Sequence, residues 1–77
     1  MPRMNDKWTI ETAIRLNERE EVVLATRPNK YMLVGDIEYV TWYCMDGNNY
    51  FWGHYHCDKK TAMLDLLERA KEEIERM

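Results

Sequence analysis

Apolar and polar residues alternate along two neighbouring segments near the middle of the chain, residues 37–45 and 50–57. A period of two is typical of a β-strand, and the intervening Asp46-Gly47-Asn48-Asn49 is a favourable hairpin turn. A two-residue loop at Gly47-Asn48 and a four-residue loop over 46–49 give the same register. That register places Gly53 opposite Trp42, where the absent side chain leaves room for the indole ring.

The last segment has the periodicity of an amphipathic helix. Asp58 is well placed as its N-cap, and Asp65 and Arg69 have the spacing of a favourable ion pair. The apolar residues that recur at helical spacing are Met63, Leu66, Leu67, Ala70, Ile74 and Met77. Such a helix needs an apolar surface to cover, and we expect that surface to be the hairpin face that carries Val40, Trp42, Phe51 and Tyr55.

Residues 9–20 are open to two interpretations. Ile10, Ala13 and Ile14 lie at helical spacing, and Asp6 or Thr9 is available as an N-cap. The set Trp8, Ile10, Ile14 and Leu16 also fits a period of two, so a strand is the alternative. We expect a short N-terminal helix.

Residues 21–26 are apolar and rich in β-branched side chains, which favours a strand. The segment 27–30 suits a turn, and residues 31–34 then form the second arm of another hairpin. With 77 residues the chain has room for one core, and we expect a single domain over residues 1–77. The predicted fold class is α+β: a small antiparallel meander of three to four strands, a C-terminal amphipathic helix on one face, and a short N-terminal helix.

The charge distribution limits the possible functions. The net charge is −3, and residues 37–57 contain no Lys or Arg. Nucleic-acid platforms need cations beside their aromatic rings, so a nucleic-acid-binding regulator is disfavoured. The sequence contains no Ser, which excludes a serine nucleophile. No apolar run approaches the roughly 20 residues of a membrane helix and no signal-peptide core is visible, so we expect a cytoplasmic protein.

Seven of the nine aromatic residues lie between Tyr39 and Tyr55, and alternation distributes them over both faces of the hairpin. One helix covers one face only. The other face is either a second core layer beneath the N-terminal helix or an exposed patch. Aromatic and Met-rich patches without charge at their centre are typical of protein interfaces. The candidate partner-binding residues are Tyr39, Tyr43, Met45, Tyr50 and Trp52, for a larger protein partner or for a second copy of the chain.

His54, His56 and Cys57 form a candidate metal site. Residues i and i+2 of a strand share a face, with Cα atoms about 6.6 Å apart, so the two imidazoles are able to converge on one zinc ion. Cys57 is the expected third ligand, because it lies at the end of the strand, where the chain turns into the helix and the side chain is able to swing towards the histidines. Asp58 is the alternative, although it also serves as the helix cap. The competing interpretation is two polar side chains on a solvated face. A structural zinc would stabilise so short a chain.

The two cysteines do not indicate catalysis or a disulfide. Alternation directs Cys57 away from both histidines, and no third orienting group is evident, so we expect no enzymatic activity. The predicted register separates Cys44 from Cys57 by about 20 Å, beyond disulfide reach. We expect Cys44 to fill core space beneath the C-terminal helix.

The small size, the acidity, the turn over 46–49 between aromatic strands and the terminal Leu/Glu-rich helix resemble small proteins of phages and mobile elements, including anti-CRISPR inhibitors of Cas9. The resemblance implies stoichiometric binding to the effector protein, which blocks its guide or target nucleic acid without catalysis. It also implies that the cluster of His54, His56 and Cys57 is a structural zinc site. The mixed charge differs from strongly acidic DNA mimics, which favours binding to a protein lobe. The alternative is a small metal-binding or homodimeric regulator.

Overall fold

The computed structural model describes residues 2–28 and 36–77, which form one antiparallel sheet and one helix. The five strands lie in the sheet in chain order. Their bounds, with those of the helix, are β1 Met4–Asn5, β2 Trp8–Arg15, β3 Glu20–Pro28, β4 Ile37–Met45, β5 Asn49–His56 and α1 Lys59–Glu75. The α+β class and the meander are therefore confirmed, with five strands instead of three to four.

The predicted N-terminal helix is wrong, because its first half is strand β2. This strand pairs with β3, from Thr9 opposite Thr26 to Arg15 opposite Glu21. Its β-branched residues lose side-chain freedom in a helix and pack well on a pleated surface. Pairing with a buried neighbour therefore outweighs the local helical spacing, and the period-two alternative is correct.

The predicted strand over 21–26 is confirmed as part of β3. This strand pairs along its whole length with β4, from Glu20 opposite Met45 to Pro28 opposite Ile37. The predicted second arm over 31–34 lies outside the described residues.

The predicted register of the β4–β5 hairpin is correct over one half only. Val40 lies opposite Tyr55 as expected, whereas Tyr43 lies opposite Phe51 and the pairing has shifted by one residue. The shift is a β-bulge at Trp52, whose φ is 55°. A one-residue shift exchanges the two faces, so Tyr50 and Phe51 project to the sides opposite to those predicted.

One face of the sheet is enclosed by the curl of the sheet itself. In a flat sheet β2 and β5 would be separated by about 14 Å, which is three strand spacings. The ring centroids of Trp8 and Tyr55 nevertheless lie only 6.0 Å apart. This enclosed face buries Trp8, Val23, Ala25, Val40, Trp42 and Cys44.

The helix covers the other face, which we call the helix face. The residues buried there are Val22, Leu24, Tyr43, Ala62, Leu66 and Ala70. The expectation that α1 covers Val40, Trp42 and Tyr55 is therefore wrong, because the curl and Trp8 already fill that side. Within residues 2–28 and 36–77, no helix combines the length and the apolar character of a membrane span.

Candidate functional site

Trp52 is an exposed aromatic side chain held by an unusual backbone conformation. Trp52 lies in the β-bulge of β5, which is an edge strand of the sheet. Its side chain is 66% exposed. A positive φ costs a residue with a Cβ roughly 1–2 kcal/mol and is rare for bulky residues. The indole packs against two rings of the helix face, with centroid distances of 4.9 Å to Phe51 and 5.7 Å to Tyr43. The bulge thus directs a supported indole into solvent.

A shallow groove separates Trp52 from the C-terminal half of α1. Its volume is about 240 Å³, and it is lined by Trp52, His54, Arg69, Glu72, Glu73 and Arg76. We call it the Trp52 groove. Arg76 and Glu73 pair with each other at 3.0 Å, whereas Glu72 forms no ion pair in the described part of the chain. The rim therefore offers one uncommitted carboxylate beside an exposed indole.

Arg69 closes the inner end of the groove. It is only 9% exposed and donates from Nη1 to the carbonyl oxygen of Thr41 at 3.0 Å and to Thr41 Oγ1 at 3.2 Å. Burial lowers the pKa of Arg69, and the negative charges of Asp65, Glu73 and Glu72 oppose that effect. Asp65 and Arg69 were predicted to form an ion pair. Among the described residues they do not pair with each other, because the Asp65 carboxylate contacts other side chains.

Those side chains include the two histidines of β5. Oδ2 of Asp65 lies 3.0 Å from His54 Nδ1 and 3.1 Å from His56 Nε2, and it accepts a hydrogen bond of 2.5 Å from Thr41 Oγ1. Partial burial raises the pKa of Asp65, but hydrogen bonds from Thr41, His56 and His54 outweigh burial and leave that pKa below its usual value. One carboxylate of α1 is therefore hydrogen-bonded to both β4 and β5.

The structure assembles only part of the predicted metal-ligand set. His54 and His56 do share a face, but the acidic group that meets them is Asp65, and Cys57 is an exposed free thiol. Over residues 2–28 and 36–77, no three His, Cys, Asp or Glu side chains form a group arranged to hold a metal ion. Sequence reasoning missed Asp65 because it placed the helix on the other face of the hairpin.

The predicted partner-binding residues do not form one surface. Tyr43 is buried and Tyr39 packs beside it beneath α1, while Tyr50 lies on the enclosed face with its ring centroid 5.4 Å from that of Trp42. Met45 is partly buried at the end of β4. Of the five, Trp52 is the one that is exposed.

The other thiol, that of Cys44, lies in the core. Cys44 is buried, as predicted, but on the enclosed face and not beneath the helix. Burial, reinforced by the charge of Glu21, raises the pKa of Cys44. A thiol with a raised pKa is a poor nucleophile at neutral pH. Arg3 spans this region, donating to Glu21 and to the Tyr50 hydroxyl, and so ties the N-terminal segment to β3 and β5.

Comparisons with protein-family models, with curated proteins and with solved structures give no match to this chain.

Proposed function

We propose that the protein is a non-catalytic, protein-binding inhibitor that docks through the Trp52 groove. The observation that carries the proposal is the exposed indole of Trp52 at a bulge with positive φ. Strained backbone is retained where function requires it, and Trp is among the residues most enriched at the energetic centres of interfaces. Tyr43 and Phe51 support the ring from behind, which limits the side-chain entropy lost on binding.

The charges around the groove favour a basic contact on the partner. Residues 65–77 contain five acidic and three basic side chains, and one of those three, Arg69, is buried. A Lys or Arg of the partner placed over the indole gains about 0.5–2 kcal/mol from the cation–π interaction. Glu72 is available to pair with the same cation. The expected partner is therefore a larger protein that presents a basic side chain next to an apolar contact.

The resemblance to anti-CRISPR inhibitors makes Cas9 the first partner to test. In this proposal the protein binds a lobe of Cas9 and blocks the loading of guide or target nucleic acid. No covalent chemistry is involved. The lack of Lys and Arg in residues 37–57 supports contact with the effector protein and not with its nucleic acid.

The test measures binding to immobilised Cas9, with and without guide RNA. Trp52→Ala should weaken binding at least about tenfold, since the truncation of a hot-spot residue costs about 2 kcal/mol or more. Tyr55→Ala is the matched control, because Tyr55 lies on the same strand, is 67% exposed and projects from the opposite face. Far-UV circular dichroism verifies that both variants fold.

Two results would count against the proposal. A wild-type protein that does not bind Cas9 in either state rules out this partner. If Trp52→Ala and Tyr55→Ala weaken binding equally, or if neither variant changes it, the Trp52 groove is ruled out as the docking surface.

A second candidate is a zinc-binding regulator, and the observation that favours it is the approach of His54 and His56 to one carboxylate. Elemental analysis of untagged protein should then give near-stoichiometric zinc, which His54→Ala loses. Asp65→Asn and Cys57→Ala identify the third ligand, because only the true ligand's variant releases the metal. Protein that contains no zinc after incubation with excess zinc and desalting excludes this candidate.

A further inference from the structure

The solvent side of α1 carries an apolar strip that the fold leaves uncovered. Its residues, at alternating spacings of four and three, are Lys60, Leu64, Leu67, Lys71 and Ile74. We call them the outer strip. Leu64 is 59% exposed, and Leu67 and Ile74 are each 54% exposed. This spacing is that of a coiled-coil seam, in which apolar residues face a partner helix.

Basic and acidic side chains alternate on and beside the outer strip, in the order Lys60, Glu68, Lys71 and Glu75. Lys60 lies in the first turn and Glu75 at the last residue of α1, and the helix has no acidic residue in its first turn and no basic residue in its last. This arrangement opposes the helix dipole, which favours the reverse signs. In the described part of the chain, none of Lys60, Lys71, Glu68 and Glu75 forms an ion pair. These charges are therefore free to pair with another helix.

We propose that the outer strip binds the outer strip of a second copy of this chain, with the two helices antiparallel. A two-fold axis close to residue 69 places Leu64 opposite Ile74 of the other copy. It also brings Lys71 close to Glu68, and Lys60 within side-chain reach of Glu75, across the interface. Symmetry repeats each contact, so Lys60, Glu68, Lys71 and Glu75 of each copy are all paired. A parallel arrangement would instead place the two Lys71 side chains against each other, which is unfavourable.

The interface is small and separate from the Trp52 groove. Three apolar side chains per copy bury little surface, and interfaces below about 1,200 Å² are characteristic of weak complexes. The dimer should therefore form in a concentration-dependent way. Arg69 and Glu73, which line the Trp52 groove, lie on the side of α1 that faces the sheet, so dimerisation leaves the groove open. The inference does not depend on the proposed inhibitory function.

Two charge-reversal variants test the proposal by sedimentation velocity over a range of concentrations. In Lys60→Glu/Lys71→Glu, all four charged side chains on and beside the outer strip, at positions 60, 68, 71 and 75, are acidic. In Glu68→Lys/Glu75→Lys, all four are basic. Each variant alone should remain monomeric at concentrations where the wild type dimerises. An equimolar mixture of the two should dimerise, because their complementary strips restore attraction.

The control for net charge is Lys7→Glu/Lys59→Glu, which has the same charge change as the acidic variant but alters no residue of the outer strip. It should dimerise like the wild type. A wild type that is monomeric at every concentration overturns the proposal. So does a mixture that stays monomeric, or a control that loses dimerisation to the same extent as the acidic variant.

Discussion

At the scale of single residues, Gly53 packs tightly against the ring of Trp42. A Cβ added at Gly53 would lie 2.9 Å from Trp42 Nε1 and 3.3 Å from Cε2 of Tyr55. Trp42 is buried, so its ring has little room to move. Gly53→Ala should therefore lower the free energy of unfolding by about 1–3 kcal/mol, the usual cost of overpacking. Urea denaturation measures that loss, and the NMR resonance of the Trp42 indole N–H should shift.

Gly47→Ala in the same hairpin is the control. Gly47 has a φ of 79° and open space around it, so alanine there costs backbone strain alone. The free energy of unfolding of the Gly47→Ala variant should fall, while the resonance of the Trp42 indole N–H should not shift. If Gly53→Ala leaves both stability and that resonance unchanged, the close packing of Gly53 on the indole is disproved.

The sequence correctly predicted the roles of those residues whose roles depend on local chemistry alone. Asp58 caps α1 by accepting a hydrogen bond of 2.8 Å from the Thr61 backbone N–H, and Gly53 does lie against Trp42. The conformation of Trp52 had no comparable signal. Positive φ is common for Gly, Asn and Asp but not for Trp, so nothing in the sequence placed a bulge there. That single bulge decides which rings face the helix and which side chain is exposed.

At the level of elements, the orientation of α1 was the main failure. The apolar pattern placed Leu67 and Ile74 in the core, whereas the structure buries Arg69 and leaves both of those residues exposed. An arginine packs its aliphatic stem on apolar surface while its guanidinium binds Thr41. A pattern that counts Arg as polar assigns the wrong side of the helix to the core. For this reason two residues of the outer strip, Leu67 and Ile74, were expected to be buried. Asp65 was missed as the partner of the histidines because, in addition, the helix was expected on the other face of the hairpin.

At the scale of the whole molecule, the Asp65 carboxylate connects the helix to two strands of the sheet. Thr41 belongs to β4, His54 and His56 to β5, and Asp65 itself to α1. The sheet curl closes one layer of the core without the helix, whereas the second layer needs α1 to stay in place. Loss of the Asp65 hydrogen bonds should therefore loosen the helix layer first.

This dependence predicts how acid destabilises the protein. Folding lowers the pKa of Asp65 below its ordinary value of 3.8. The resulting stabilisation is complete above that ordinary value and is lost as the pH falls through the lower pKa of the folded state. In Asp65→Asn the urea midpoint should be lower at neutral pH, and it should fall less than that of the wild type between about pH 5 and pH 2. Parallel acid profiles for the two proteins would show that Asp65 does not couple the helix layer to pH.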